Sequence, residues 1–375
     1  MVGFDRRRFL GAVGAAGAVG LTGMLTGRAA ASTERAGCVV YLGSYTTWGE
    51  PPGVGLQVAT RGSGPALTLG ATVPGVPDAS WLAVSKDKLY STNELVPDGQ
   101  VTTLSAANPP KVLGSQPVGG AGTTHLSVHP SGKFVLTANY TDGTVSVLPI
   151  QSGGKAGPPT DVVKHTGGER EAHAHQVVTD PSGKWVVAVD LGTDSVYVYK
   201  LDLGTGKLKL NQQLKLPSGA GPRHLVFHPN GKYAYILGEL RAEITVAAWD
   251  ANAGKLTAGA VVPTVPSTAP VPQYPAEIAI SRDGRFVYAS NRGEDTIATF
   301  GVGAGGAEIT RIGENATTGG AWPRHFTLDP SERWVYVANQ RSNTVTWLPR
   351  DPATGLLGKP AGSLAVNHVA FVLFR

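Results

Sequence analysis

The sequence predicts an all-β fold, a seven-bladed β-propeller in which the N- and C-terminal strands share one blade. Three observations support this prediction: a repeat of about 50 residues, an abundance of turn residues, and complementary gaps at the two ends of the repeat array. The 375 residues include 50 glycines and 27 prolines. Few long helical patterns occur among them, which favours short strands joined by many turns.

The repeat is clearest around a tight turn. Its copies read TTHLSVHPSGKFVLTANYTDGTVSVL, HAHQVVTDPSGKWVVAVDLGTDSVYVY, PRHLVFHPNGKYAYILGELRAEITVAAW, PAEIAISRDGRFVYASNRGEDTIATF and PRHFTLDPSERWVYVANQRSNTVTWL. The turn positions lie 51, 48, 53 and 48 residues apart, at Pro130, Pro181, Pro229, Arg282 and Pro330. Each copy reads as three strands followed by a weaker fourth. A period of about 45–50 residues with four strands indicates a propeller blade, which buries its faces by stacking against neighbouring blades.

The two ends of the array complement each other. A sixth, weaker copy begins at Ala79, and a partial seventh begins at Val39 with VVYLGSYTT, without the preceding strand and turn. The C-terminal VNHVAFVLFR provides a strand of the missing kind. We therefore expect both ends to complete one blade, which hides strand edges that would otherwise pair with other chains. An array of β-sandwiches is the alternative, but it does not predict these complementary gaps.

The N-terminus predicts an export signal. Residues 5–10 read Asp-Arg-Arg-Arg-Phe-Leu, and a Gly/Ala-rich apolar run leads to Ala29-Ala30-Ala31, which fits a cleavage site. We expect residues 1–31 to be a twin-arginine signal and residues 32–375 to form a single propeller domain. The protein would be cytoplasmic before export, and periplasmic or extracellular afterwards. No other stretch has the roughly 18 apolar residues of a spanning helix, so no membrane association is expected after signal removal.

The net charge and the cysteine content limit the binding partners and the covalent links that we expect for this protein. The formal net charge is +5, of which four arginines and one aspartate of the predicted signal contribute +3, leaving about +2. This balance argues against nucleic acid as a partner. Cys38 is the single cysteine, which excludes an internal disulfide. We expect a monomer that acts on a small molecule.

Equivalent positions of the repeat predict two rings of side chains around the channel. The first ring lies six residues before each turn position, at Ser80, Thr124, His175, Arg223, Ala276 and Arg324. The second ring lies on the return strand, at Glu94, Tyr140, Leu191, Glu239, Arg292 and Gln340. We expect Arg223 and Glu239 to be cross-strand partners, which places both rings at one mouth of the channel.

The ionisable content of these rings indicates a functional site. They carry one histidine, three arginines and two glutamates at strand positions that would otherwise be apolar. Burying so many charges is costly unless they meet water, one another or a ligand. Concave openings with convergent polar groups commonly bind small molecules. A structural network of ion pairs that closes the channel is the alternative interpretation.

The spacing of the other histidines argues for packing roles and against a metal site. Glu171, His173 and His175 alternate along one predicted strand and span roughly 13 Å, at about 3.3 Å per residue. Zinc holds its donors at about 2.0–2.3 Å, so we expect no metal site there. His224 and His325 each follow an arginine. We expect both to face the opposite side of their strands as packing residues.

Three segments resemble a known family. HQVVTDPSGKWVVAVDLGTD, GAGPRHLVFHPNGKYAYILGEL and SRDGRFVYASNRG are similar to the seven-bladed propeller lactonases, which include bacterial 6-phosphogluconolactonases and fungal carboxymuconate cyclases. The resemblance runs from about Cys38 to Arg375. It implies that the functional His, Arg, Glu and second Arg of the family correspond to His175, Arg223, Glu239 and Arg292. The export signal departs from this family pattern, because phosphorylated sugar lactones are cytoplasmic.

The residues support a lactonase hypothesis that requires no cofactor. His175 would take a proton from water and return it to the leaving alkoxide, and Arg223 would stabilise the oxyanion. Glu239 would orient Arg223 or act as the base. Arg292, Arg324 and Glu94 would bind the substrate, a sugar-acid or related lactone. Two alternatives stay open, namely a lactonising cycloisomerase of the carboxymuconate type and a non-catalytic exported propeller that binds a polymer or a protein.

Overall fold

The computed structural model describes residues 37–166, 169–269 and 272–375, so the predicted export signal lies outside the described residues. Short strands dominate the chain. The first half contains β1 Cys38–Ser44, β2 Leu56–Arg61, β3 Leu67–Val73, β4 Leu82–Ser85, β5 Lys88–Asn93, β6 Gln100–Ser105, β7 Lys111–Pro117, β8 Thr123–Val128, β9 Phe134–Asn139, β10 Thr144–Pro149, β11 Asp161–Lys164, β12 Ala174–Thr179, β13 Val186–Asp190 and β14 Ser195–Leu201. The second half contains β15 Leu208–Lys215, β16 Pro222–Phe227, β17 Tyr233–Gly238, β18 Glu243–Asp250, β19 Lys255–Pro263, β20 Tyr274–Ile280, β21 Phe286–Arg292, β22 Thr296–Gly303, β23 Glu308–Arg311, β24 Ala316–Thr317, β25 Pro323–Leu328, β26 Trp334–Asn339, β27 Thr344–Pro349, β28 Gly362–Ala365 and β29 Val369–Phe374.

These strands form seven antiparallel sheets, the blades of the predicted propeller. Six of them have four strands, and the sheet of β20 to β23 gains β24 beside β22. One blade has the order β29-β1-β2-β3, with Val40 opposite Phe374 and Ser44 opposite Val369. The prediction that the two chain ends share a blade and close the ring is confirmed.

Apolar residues fill the space between neighbouring blades. Seven buried clusters each combine side chains of two adjacent sheets, as where Val187 of β13 packs with Ile236 of β17. Each blade therefore buries both of its faces, which it could not do alone. Within the described ranges, the single helical turn Ala304–Gly306 is the only helix, and no helix there could cross a membrane.

The innermost strand of most blades carries a β-bulge at the same place. In β8, β12, β16 and β25 the pairing with the next strand skips one residue, which is Thr124, His175, Arg223 or Arg324. A bulged residue takes no part in the regular ladder, and the bulge redirects side chains on its strand. Four of the six residues predicted for the first ring are these bulged residues.

Candidate active site

A pocket of about 220 Å³ brings the two predicted rings together. The side chains that line it are Thr124, His175 and Arg324 of the first ring, Glu94, Tyr140, Glu239 and Arg292 of the second ring, and Trp48. Ser80 and Arg223 line a smaller cavity of about 10 Å³ that also contacts His175. Of the six predicted site residues, five line the larger pocket and Arg223 lies beside it.

Ion pairs connect the charged residues of the site. One carboxylate oxygen of Glu239 lies 3.1 Å from Nε of Arg223 and 2.9 Å from Nη2 of Arg292. The carboxylate of Glu94 accepts a hydrogen bond from the Tyr45 hydroxyl at 2.7 Å and lies 3.8 Å from Nη2 of Arg324. Three guanidinium groups therefore share two carboxylates at this site, and two of the three arginines line the pocket itself.

Arg223 is the most deeply buried of these arginines. Its side chain is 3% exposed, and Nη1 donates a hydrogen bond to the carbonyl oxygen of Ala276. Burial lowers the pKa of Arg223 to about 9, and the neighbouring charges of Arg292 and Arg324 act in the same direction. The group nevertheless stays charged at neutral pH.

His175 has an unusual environment for a buried histidine. Its Nδ1 is buried and has no hydrogen-bond partner among the described residues, so Nε2 is the ring nitrogen that reaches the pocket. Burial lowers the pKa of His175 well below its usual value, and the positive charge of Arg223 lowers it further. The imidazole is therefore neutral at neutral pH and able to accept a proton.

The expected register of Arg223 and Glu239 is wrong, although the two side chains do meet. Pro222 pairs with Gly238 and His224 with Leu237, so Arg223 sits on the bulge without a cross-strand partner. Glu239 follows the end of β17, and its N–H donates to the carbonyl oxygen of Gly221 at 2.8 Å. The bulge at Arg223 and the end of β17 therefore bring the two charged side chains together, although the two residues are not paired across the strands.

The bulges also correct the expected orientation of His224 and His325. Both were expected on the opposite side of their strands from the arginines, but each follows a bulged residue and lies beside the first ring. They belong to a set of side chains that we call the buried layer, which consists of Trp81, His125, Gln176, His224, Glu277, His325 and Phe371. Ring contacts and ion pairs link all of these side chains except Gln176, whose Oε1 accepts the N–H of Leu225. His224 and His325 are buried, which agrees with the predicted packing role, and Trp81 is the one partly buried member of the layer.

The alternation through Glu171, His173 and His175 is not continued in one strand. β12 begins at Ala174, and His173 stacks on Tyr140 with its Nδ1 2.9 Å from the Tyr140 carbonyl oxygen. Glu171 is exposed. Across the described residues, no group of three His, Cys, Asp or Glu side chains is arranged to hold a metal ion.

Two residues of the site lie outside the predicted rings. Tyr45 follows β1, and its N–H donates a hydrogen bond to the carbonyl oxygen of His368. In its own blade, the N–H of Glu239 makes the equivalent bond to the carbonyl oxygen of Gly221. Tyr45 therefore occupies the second-ring position of the shared blade. Its ring lies 5.2 Å from the guanidinium of Arg324. Trp48 packs on Tyr45 at 4.0 Å between ring centroids. The match of YLGSYTT with VLTANYTD indicates Tyr45, whereas no repeat position indicates Trp48.

The histidines of the site and the buried layer predict acid-sensitive folding. Burial lowers the pKa of His125, His175 and His224 well below the usual value, and that of His325 to about 4. The unfolded chain binds protons at these groups below about pH 6.5, whereas the folded protein does not. We expect the free energy of unfolding to be level above pH 6.5 and to fall between pH 6.5 and 5. Burial raises the pKa of Glu277, which offsets a part of this loss.

Urea denaturation across pH 5 to 8 measures this dependence. Each histidine contributes about 1 kcal/mol per pH unit below its unfolded pKa. His125→Gln removes one of these titrating groups, so the free energy of unfolding should change less steeply with pH, by the contribution of one proton. A free energy of unfolding that does not change between pH 5 and 7 would contradict the expectation.

Comparison with known proteins supports the geometric evidence. The family model "Lactonase, 7-bladed beta-propeller" matches residues 39–374. The 6-phosphogluconolactonase of Bacillus subtilis (strain 168) is 32% identical over 344 residues, which are 89% of this chain and 97% of the relative. The structure of the Pseudomonas aeruginosa periplasmic gluconolactonase PpgL has a TM-score of 0.83 and 27% identity, and the match covers 90% of this chain and 99% of that one.

A putative 6-phosphogluconolactonase from Bacteroides fragilis NCTC 9343 is a further structural neighbour. Its TM-score is 0.82 at 27% identity, with 92% of this chain and 99% of the other covered. These relatives, by their names, support a lactonase function. The fold, the repeat motifs and the match over nearly all described residues show that this chain belongs to the seven-bladed β-propeller lactonase family.

Proposed function

We propose that the protein hydrolyses a sugar-acid or related lactone in the 220 Å³ pocket, at the mouth of the channel. The observation that supports this proposal most directly is the position of His175. Its neutral imidazole reaches with Nε2 into a pocket lined by two arginines and two carboxylates. A lactone needs an activated water, a stabilised oxyanion and a proton for its leaving oxygen. Each requirement has a candidate group here.

His175 is the proposed general acid and base. Nε2 takes a proton from water as the water oxygen bonds to the lactone carbonyl carbon, which gives a tetrahedral oxyanion. The oxyanion then re-forms the carbonyl and breaks the ring C–O bond, and Nε2 returns its proton to the departing alkoxide. The nearby guanidinium charges disfavour the imidazolium, so they favour this second transfer.

The arginines divide into two proposed roles. Arg292 and Arg324 line the pocket and bind oxygen atoms of the substrate, together with Glu94 as an acceptor for sugar hydroxyls. Arg223 contributes its positive charge to the oxyanion from beside His175. Glu239 holds Arg223 and Arg292 through one oxygen, which favours an orienting role over that of a base.

We further propose that the protein acts after export. The twin-arginine pattern supports this location, as does the likeness to a periplasmic gluconolactonase. An exported enzyme would meet unphosphorylated lactones more readily than the phosphorylated intermediates of the cytoplasm. The pocket would act on one small molecule and require no cofactor.

A panel of lactones tests the proposed function. Purified protein is mixed with sugar-acid and aromatic lactones, phosphorylated and unphosphorylated, and acid release is followed with a pH indicator. Hydrolysis of at least one sugar-acid lactone above the spontaneous rate is expected. Lactone formation from an unsaturated diacid without hydrolysis would replace the proposal with a cycloisomerase. No turnover on any compound would leave a binding module.

Arg223→Ala should lower kcat/KM for the best lactone by about 10²-fold, because one charged donor near an oxyanion is commonly worth 10²–10³-fold. Arg223→Lys should recover only a part of this loss, since lysine lacks the planar fork of donors. Arg285→Ala is the matched control on the protein surface, where the side chain is 53% exposed. Equal kcat/KM values for Arg223→Ala and the control would contradict the assignment.

A further inference from the structure

His175 also borders the smaller of the two cavities. This cavity measures about 10 Å³ and lies between the first ring and the buried layer. A cavity of about 10–15 Å³ holds one water molecule if several polar groups face it. Its walls are mainly polar, at Ser80, Thr124, His175, Arg223, His224, Arg324 and His325, and Trp81 and Ala370 complete them. This polar lining is suited to water, whereas a dry cavity of this size is lined by apolar side chains.

The ring nitrogen of His175 on the buried side needs a partner. Nδ1 of His175 is buried and accepts or donates no hydrogen bond within the described residues. A buried polar atom without a hydrogen-bond partner destabilises the folded protein. His175 also lines the 10 Å³ cavity, and the nearest imidazole is that of His224, with 5.0 Å between ring centroids. One bridging molecule between the two rings would satisfy Nδ1.

Glu277 fixes the protonation of His224. Its Oε1 lies 3.2 Å from Nδ1 of His224 and accepts the N–H of Ile278 at 2.9 Å. A carboxylate is an acceptor, so Nδ1 of His224 carries the proton and Nε2 is left as the acceptor of a neutral ring. Nη1 of Arg223 makes a long hydrogen-bond contact of 3.4 Å with each nitrogen of His224 and so holds neither of them closely.

The second oxygen of Glu277 faces a further donor. Nδ1 of His325 accepts the N–H of Val372 at 3.3 Å, so the proton of this neutral ring lies on Nε2. Nε2 of His325 is 3.7 Å from Oε2 of Glu277. Oε1 of Glu277 therefore has two donors, from His224 and from the Ile278 backbone, whereas Nε2 of His325 lies beyond hydrogen-bond distance of Oε2.

We propose that the cavity binds one water molecule, which accepts the Nδ1 proton of His175 in a hydrogen bond and donates to Nε2 of His224, while Glu277 holds His224 in place. Glu277 and His224 are then positioning residues that keep the His175 proton on Nδ1. Nε2 of His175 is consequently the unprotonated nitrogen that faces the substrate. The inference rests on the proposed function only in assigning His175 a catalytic role.

The tautomer of His175 is the direct test. Protein labelled with ¹⁵N in its histidines is studied by NMR, with the His175 signals assigned from their loss in His175→Gln. The expected result is a protonated Nδ1 in the unmodified protein and a mixed or reversed tautomer in Glu277→Gln and His224→Gln. A protonated Nε2 in the unmodified protein overturns the proposal. This measurement needs no turnover, so it stands apart from any failure of the lactone panel.

Kinetics provide the second readout. Glu277→Gln and His224→Gln should each lower kcat by about 10- to 100-fold with little change in KM, the loss that is common when the hydrogen-bond partner of a metal-bound histidine is removed. His125→Gln is the matched control, because His125 is a member of the same buried layer but bonds to the Val177 N–H and not to Glu277. Losses in kcat no larger than in the control overturn the roles of Glu277 and His224. If one of the two variants fails to fold, the other carries the test.

Discussion

His175→Ala is expected to lower kcat/KM for the best lactone by about 10²- to 10⁴-fold, the usual contribution of a general acid and base. The fold should persist with little loss of stability. No group in the described residues depends on a hydrogen bond from His175, since its buried Nδ1 has no partner among them. Loss of turnover with unchanged urea denaturation is therefore the signature of a catalytic group and not of a structural one.

The pH profile of the unmodified enzyme belongs to the same prediction. The unprotonated imidazole is the active form, and burial with the charge of Arg223 lowers its pKa well below the usual value. Log kcat/KM should accordingly stay level from pH 8 down through pH 6.5 and decline only at lower pH. An inflection near pH 6.5 that disappears in His175→Ala would show that the imidazole titrates normally, contrary to the structure.

His173→Ala is the matched control for this substitution. His173 is two residues away and stacks on Tyr140, but it does not line the pocket. It should retain most of the activity. Equal losses of kcat/KM in the two variants would point to the Tyr140 region and not to the His175 ring.

Glu239→Ala is expected to destabilise the protein by about 3–5 kcal/mol, the usual result of removing one partner from a buried ion pair. The substitution leaves the guanidinium groups of Arg223 and Arg292, both buried, without the carboxylate oxygen that they share. Their mutual repulsion then acts with less compensation. Urea denaturation at pH 7 measures the loss.

Glu94→Ala is the control with a weaker network. Its carboxylate has one arginine at 3.8 Å and one tyrosine hydroxyl at 2.7 Å, so its loss should cost clearly less than that of Glu239. In the double variant Glu239→Ala with Arg292→Met, a part of the stability should return, because one of the unpaired charges is gone. A Glu239→Ala effect under about 1 kcal/mol would show that the pairs contribute little to folding.

The repeat in the sequence predicts most of the fold, because a fixed period reports one structural unit many times over. It also predicts which positions converge, and Glu94, Glu239, Arg292 and Arg324 all line one pocket with His175. The match of VVYLGSYTT with the other copies contains Tyr45 as well. The position of Tyr45 in the second ring depends on β29, which pairs beside β1 and which the match of the copies does not include.

The strand period fails where the backbone leaves the regular ladder. A strict alternation places Arg223 and His224 on opposite faces, but the bulge adds one residue and brings both beside His175. Single sequences contain no clear signal for such a bulge. The residue types following the first ring, namely Trp, His, Gln, His, Glu and His, are nevertheless unusual for a dry core and are the signal by which the buried layer could have been found.

The bulges have a consequence for how this architecture diversifies. A first-ring side chain sits on the one residue of its strand that makes no regular ladder pair, so its exchange leaves the backbone ladder of the blade intact. Thr124, His175, Arg223 and Arg324 occupy this position in four blades and present a hydroxyl, an imidazole and two guanidinium groups. Natural variation could thus exchange the reactive groups of the family one at a time, while the scaffold that presents them is inherited unchanged.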